Sequence, residues 1–228
     1  MLKAVIFDFD GVIADSELLH YRAFKETVSR YSVDLTKERY YDEYLGYTDI
    51  ECIRAISADF DLGLDEAQID QLMQEKTKLF ARMVQAKSTI IDGVCEFVGM
   101  LRQNGLRLAV CSGALLGDIE LMLDGADLAD SFEIIVAADH VHKGKPDPEG
   151  FLLTLQRLNE AGAEQIGPGD CVVIEDSPWG LKAASAARMH TIAVTNSYPT
   201  EQLAGLAQKV VNRLNELTIS DLQSVCTA

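Results

Sequence analysis

The chain has 228 residues, room for one large domain or two modest ones. Hydrophobic residues make up 48% and charged residues 25%, as in a soluble globular protein, and no apolar run reaches the ~18 residues of a membrane-spanning helix. A formal net charge of −16 argues against nucleic acid and anionic membranes as partners.

Lys3 and a short apolar run are followed at once by acids, which is not the pattern of a signal peptide. The five cysteines are scattered, odd in number and form no Cys-x-x-Cys. They read as reduced, mostly buried thiols of a cytoplasmic protein.

The first predicted strand, 3–9, runs into Asp8-Phe9-Asp10-Gly11-Val12. Two acids two residues apart would point to opposite faces if the strand continued through both. Gly11 predicts that the strand stops, so that both acids sit in the turn beyond it. A carboxylate pair there suits metal binding with covalent phosphoryl transfer, although Asp and Gly are also ordinary turn residues.

The next stretch, roughly 15–90, holds no convincing strand and reads as about four helices. The first has Ser16 as its expected N-cap, and the fourth runs over about 65–85 with Ile69, Leu72, Phe80 and Met83 near helical spacing. Ordinary connections in this fold class are ~2–6 residues, so the insertion is expected to be a second, all-helical domain acting as a lid. Hinges are expected near 13–16 and 87–93. Lys76, Lys78 and Arg82 on the fourth helix could reach a substrate, but a solvated face is the simpler reading.

Further strands are predicted at 106–111, 134–138, 171–175 and 191–194, with a short sixth near 209–211. Helical patterns separate them. Strands alternating with helices imply an α/β fold: a parallel sheet with helices on both faces. The expected division is 1–14 with 91–228 as the core and 15–90 as the insertion.

In such sheets ligands bind beyond the carboxyl ends of the strands. The polar residues at those ends are Asp8 and Asp10, then Ser112-Gly113, then Lys145 in Lys143-Gly144-Lys145-Pro146-Asp147-Pro148, then Glu175-Asp176-Ser177. Each alone has an ordinary reading as a turn, a loop or a helix cap. Together they divide one chemistry among them. Asp8 can attack phosphorus, and Asp10 can protonate the leaving oxygen and then deprotonate water. Glu175 and Asp176, with Asp8, can hold Mg²⁺, a hard cation that prefers oxygen. Ser112 can bond a phosphoryl oxygen, Gly113 leaves its N–H approachable, and Lys145 neutralises charge.

This ordered set resembles the haloacid-dehalogenase-like hydrolase superfamily, whose pattern is Asp-x-Asp-Gly-(Thr/Val), then Ser or Thr, then Lys, then paired acids. Gly144-Lys145-Pro146-Asp147-Pro148 and Ile174-Glu175-Asp176-Ser177-Pro178-Trp179-Gly180 resemble its phosphatase and phosphomutase branch. The resemblance implies a Rossmann-like core, a helical cap inserted after the first strand, Mg²⁺ dependence and a phosphoenzyme on Asp8. It also implies a metal bond from the Asp10 backbone carbonyl, and it argues against dehalogenases, which lack the second acid. The stretch from Asp10 to His20 is similar to that of β-phosphoglucomutases and related sugar phosphatases, where the histidine lies near the acid/base aspartate.

The expected activity is hydrolysis of a small phosphorylated metabolite, a sugar phosphate or a phosphoglycolate-like acid. A sugar phosphomutase is the alternative, and a noncatalytic metabolite-binding protein the remote one. A mutase must hold a second phosphate with a cap cation. In β-phosphoglucomutases this is an arginine three residues after a cap-loop glycine, and an ungapped reading of Gly46-Tyr47-Thr48-Asp49 puts an anion there. Arg54 or Lys76 could replace it. His140 and His142 are expected in solvent, His190 at a helix end, and Trp179 in packing. A monomer or homodimer is expected.

Overall fold

The structure, a computed structural model, describes every residue except Gly46, 87–89 and Ala228, and omits the side chains of Gln85 and Ala86. The chain divides into two compact units, Met1–Asp15 with Thr89–Ala228, and Ser16–Ser88.

The first unit is built on six strands: β1 (Ala4–Phe7), β2 (Arg107–Cys111), β3 (Ile134–Val136), β4 (Cys171–Glu175), β5 (His190–Val194) and β6 (Lys209–Val211). All pair in parallel, in the order β3-β2-β1-β4-β5-β6. Buried parallel strands read as short, nearly continuous apolar runs, and these do. In β1 the side chains alternate between faces. Ala4 and Ile6 pack with Phe151 and Leu155 of one helix and Ala183 and Ala184 of another. Phe7 turns to the opposite face, where its ring meets Phe97 and Phe132 edge-on at 6.0 and 5.8 Å. Burying each such side chain contributes about 1.5–3 kcal/mol.

β1 is shorter than the apolar run suggests. The carbonyl of Phe9 accepts from the N–H groups of Val12, Ile13 and Ala14, so Phe9 already belongs to a turn. Gly11 takes the left-handed φ of 76° that this turn requires. The chain leaving and the chain returning pair within this unit: Ile91 N–H donates to Ile13, and Ala14 bridges Ile90.

The second unit contains α1 (Glu17–Val28), α2 (Lys37–Glu43), α3 (Asp49–Asp59) and α4 (Glu66–Ala86) around a core that includes Phe24, Leu35, Tyr40, Ile53, Ile56 and Leu72. Asp65 caps α4, its carboxylate accepting from Gln68 N–H, and Thr48 with Glu51 forms a capping box on α3. Ser16 stands at the N-cap position of α1, but its side chain makes no capping bond.

The first unit's helices are α5 (Val94–Gln103), α6 (Leu116–Asp124), α7 (Glu149–Ala161), α8 (Pro178–Ala186), α9 (Thr200–Leu203) and α10 (Ile219–Val225). Among the described residues no helix is long and apolar enough to cross a membrane. Trp179 departs from the packing role expected of it: 53% exposed, it lies under the Lys182 ammonium at 4.8 Å. His190 opens β5 rather than ending a helix, and its Nδ1 faces Gln208. His140 is half-buried, with Nδ1 accepting from Ala137 N–H, while His142 is exposed as expected.

Candidate active site

β1, β2 and β4 are neighbours, so their parallel ends bring three loops together. Asp8 follows β1 directly and is 8% exposed, its N–H bound to the Ile174 carbonyl of β4. Glu175 ends β4 and is fully buried, and Asp176 after it is 3% exposed. Carboxylate oxygens of these three residues lie within 4.8 Å of one another. Asp10, half-exposed in the turn, is close enough to raise the proton affinity of both Asp8 and Asp176.

Lys145 bridges the cluster. Its Nζ donates to Asp8 Oδ1 at 2.6 Å and to Glu175 Oε1 at 2.7 Å, over the Phe151 ring. Burial alone would lower the Lys145 ammonium, but Asp8 and Glu175 more than offset it and hold it well above its ordinary value. The second oxygen of Glu175 accepts from Asp176 N–H, Ser177 N–H and the Ser177 hydroxyl at 2.8, 2.8 and 2.9 Å. Both Glu175 oxygens are therefore engaged by protein donors. Ser177 also caps α8 by accepting from Gly180 N–H. A Cβ on Gly180 would overlap the Glu175 carboxylate, which explains the glycine.

Asp176 differs. Its Oδ2 is buried with no hydrogen bond from the described residues. A buried carboxylate oxygen without a donor is costly unless a cation meets it. Burial, then the charge of Glu175, pushes its carboxyl up to about 7. Burial likewise pushes Asp8 well up; Lys145 works against this, while Glu175, Asp176 and Asp10 add to it. An all-oxygen set with an orphaned acceptor and strong mutual repulsion fits a hard divalent cation such as Mg²⁺.

This has a pH consequence. A carboxyl whose folded value is raised contributes stability that is full below the ordinary carboxylate range and lost as pH rises through the folded value. In chelator, the melting temperature should therefore fall between about pH 5 and about pH 8. At one fixed Mg²⁺ concentration, ~100 times its Kd at the lower pH, stabilisation there is about 2.7 kcal/mol, on the order of 5 °C for a chain of this size. It should be larger at the higher pH, where the ionised carboxyls bind the cation more tightly. An Mg²⁺-induced shift that is equal at both ends of that range would contradict the assignment of the raised carboxyls to the cation site.

Ser112 and Gly113 lie beyond β2. Ser112 is 6% exposed and its oxygen accepts from Ala114 N–H at 3.0 Å, which leaves its O–H available as a donor. Gly113 is exposed, and a Cβ there would meet nothing within 4 Å.

In the helical unit, Lys76 is not on the solvated face. It is 1% exposed, with Nζ 2.5 Å from Asp49 Oδ2, 2.7 Å from His20 Nδ1 and above the rings of Phe24 and Phe80. Burial alone would raise the Asp49 carboxyl, but the bond to His20 and the charge of Lys76 bring it down to about 2. Lys78 and Arg82 are exposed.

A family model of haloacid dehalogenase-like hydrolases matches residues 5–194. The chain is 29% identical over 227 residues to hexitol phosphatase B of Escherichia coli, covering 97% of this chain and 96% of that one. It is 27% identical over 223 residues to β-phosphoglucomutase of Bacillus subtilis, covering 96% and 92%. The crystal structure of CbbY from Rhodobacter sphaeroides in complex with phosphate superposes with a TM-score of 0.81 at 26% identity, covering 98% of this chain and all of that one. The chain belongs to the haloacid dehalogenase-like hydrolase family, in its phosphatase and β-phosphoglucomutase branch. It is therefore an enzyme of a phosphatase family.

Proposed function

We propose that the protein is a Mg²⁺-dependent phosphomonoesterase that hydrolyses a small phosphorylated metabolite through a phosphoryl group carried on Asp8. The observation that carries this reading is the Lys145 bridge from Asp8 to Glu175, beside the orphaned Oδ2 of Asp176.

In the proposed reaction an Asp8 oxygen attacks phosphorus while the ester P–O bond breaks, and Asp10 gives its proton to the leaving oxygen. Asp10 then takes a proton from water as the water oxygen attacks phosphorus, which releases phosphate and restores the Asp8 carboxylate. Asp8, Asp176 and the Asp10 carbonyl would hold Mg²⁺, which when bound neutralises phosphoryl charge as a Lewis acid. Glu175, with both oxygens already engaged by protein donors, orients Lys145 and would sit in or beside that metal shell. Ser112 and the Gly113 N–H would hold phosphoryl oxygens. Residues 16–88 would serve as the cap that sets substrate preference and excludes water. Of the expected hinges, 87–89 lie outside the described residues. The free cysteines agree with a reducing, cytoplasmic setting.

Release of inorganic phosphate from a panel of sugar phosphates, nucleotides and short phosphorylated acids, with and without Mg²⁺, tests the reading. Undiminished release in excess chelator would overturn it.

A phosphomutase uses the same nucleophile but needs a cap cation for its second phosphate. Both candidates for that role are engaged: Lys76 with Asp49 and His20, and Arg54 with Glu66 at 2.7 Å. Asp49, an anion, stands at the first position of α3. Gly46, from which that position is counted, lies outside the described residues. A second phosphate beside Asp49 would meet like charge. With β-glucose 1-phosphate and a trace of the 1,6-bisphosphate, we expect net phosphate release and little glucose 6-phosphate. Rapid glucose 6-phosphate formation without phosphate release would reverse the assignment.

A further inference from the structure

Asn196 and Ser197, in the loop after β5, reach the site from a direction that the four motifs do not cover. β4 separates β5 from β1 in the sheet. This loop therefore spans the end of β4 to meet the β1 turn. Its base is fixed: Thr195 N–H donates to the Val211 carbonyl at 3.1 Å, and the Thr195 hydroxyl pairs with Asn212 Oδ1 at 3.1 Å.

From that base Asn196 Nδ2 donates to the carbonyl of Gly11 at 2.6 Å. Gly11 N–H already donates to the Ala14 carbonyl at 2.8 Å, so both polar groups of this residue are engaged. Ser197 Oγ stands beside the Asp176 carboxylate, both within 2.8 Å of the point where a Cβ on Gly11 would lie. The space a Cβ on Gly11 would need is taken by Asp176 Oδ2 and crowded by Ser197 Oγ. One residue is thus gripped on its carbonyl, its N–H and its open side.

The grip has a physical purpose. The turn carries two acids, Asp8 and Asp10, and abuts a third, Asp176. Their repulsion favours a splayed turn. A carboxamide and a hydroxyl hold the turn without adding charge that would compete for a cation or repel a phosphate.

We propose that Asn196 and Ser197 are positioning residues: Asn196 fixes the Gly11 peptide and hence the direction of Asp10, and Ser197 fixes the rotamer of Asp176. This rests on the function proposed above. Neither residue is among those assigned above to react with or hold the phosphoryl group. Both side chains are exposed, so removing them costs little buried surface.

Groups that orient metal ligands typically matter by about 10–100-fold in metal affinity or activity. Calorimetric titration with Mg²⁺ should show Ser197→Ala binding about tenfold more weakly, with Ser197→Thr, which keeps the hydroxyl, close to wild type. Asn196→Ala should lower kcat on p-nitrophenyl phosphate about tenfold, with KM changed by less than about twofold. Melting temperatures in chelator should stay within about 2 °C, as for exposed positions. Alanine variants that bind Mg²⁺ and turn over like wild type would overturn the proposal alone. So would losses that track a fall in melting temperature and that Ser197→Thr does not restore. Wild-type protein that binds no Mg²⁺ would overturn it together with the function on which it rests.

Discussion

Asp8→Asn should abolish turnover while leaving the fold intact. Asn keeps the size of Asp but cannot form the acyl phosphate, and loss of a nucleophile typically costs on the order of 10⁴- to 10⁶-fold in kcat. The fold should not suffer. Asp8 is buried among Glu175, Asp176 and Asp10, and burial with their charge pushes its carboxyl well above its ordinary value. The substitution gives up the Asp8 end of the Lys145 bridge, but Lys145 keeps Glu175, and the repulsion relieved among the acids offsets that loss, so the melting temperature in chelator should stay close to wild type. No label should transfer to the variant from a ³²P-labelled substrate in acid-quenched samples. An Asp8→Asn protein with wild-type phosphatase activity would sink the covalent mechanism.

Lys145→Met should damage both catalysis and stability. The ammonium is the shared partner of Asp8 and Glu175, and the three side chains are 17%, 11% and 0% exposed. Removing one partner of a buried ion pair costs about 3–5 kcal/mol, because it strands the other charge. Here two carboxylates are stranded, and protonation of Asp8 would recover part of the loss. Urea unfolding in chelator should show the fall. On the catalytic side, loss of one fixed group that stabilises transition-state charge costs about 10²–10³-fold in kcat. Lys145→Arg should not rescue it, since a planar guanidinium cannot replace a point charge held between two oxygens in that space. Wild-type stability together with wild-type turnover in Lys145→Met would refute the bridging role.

The sheet was legible because buried parallel strands announce themselves as apolar runs, and the turns after them because polar residues follow at once. What failed was local. The run through Phe9 suggested a longer β1, but the Phe9 carbonyl is spent on the turn. Ser16 has the right identity for a cap and stands in the right place, yet its side chain does not cap.

Asn196 and Ser197 were missed although the rule that found the other motifs, polar residues just after a strand, points to them after Val194. Gly180 gave no signal, since its need arises only from the approach of Glu175. The partners of Lys76 were also beyond reach. His20 and Asp49 stand 56 and 27 residues from it in the chain, and only the packing of α1, α3 and α4 brings them together. For that reason a lysine on a nominally polar helix face proved to be among the most buried side chains of its unit.

The sheet order has a consequence for how the chain acquires its fold. β1 is central, yet its partners are Arg107–Cys111 and Cys171–Glu175, so Ala4 waits for Arg107 on one side and Cys171 on the other. During synthesis β1 leaves the ribosome before either of its partners and stays unpaired until they follow. Contacts of such separation form slowly. The helices of 16–88 need only near neighbours in sequence, and they can condense while Ala4-Val5-Ile6-Phe7 is still exposed. The nascent protein thus carries a completed helical unit and a solvent-exposed apolar strand at the same time. That interval is when chaperone binding or aggregation competes with folding.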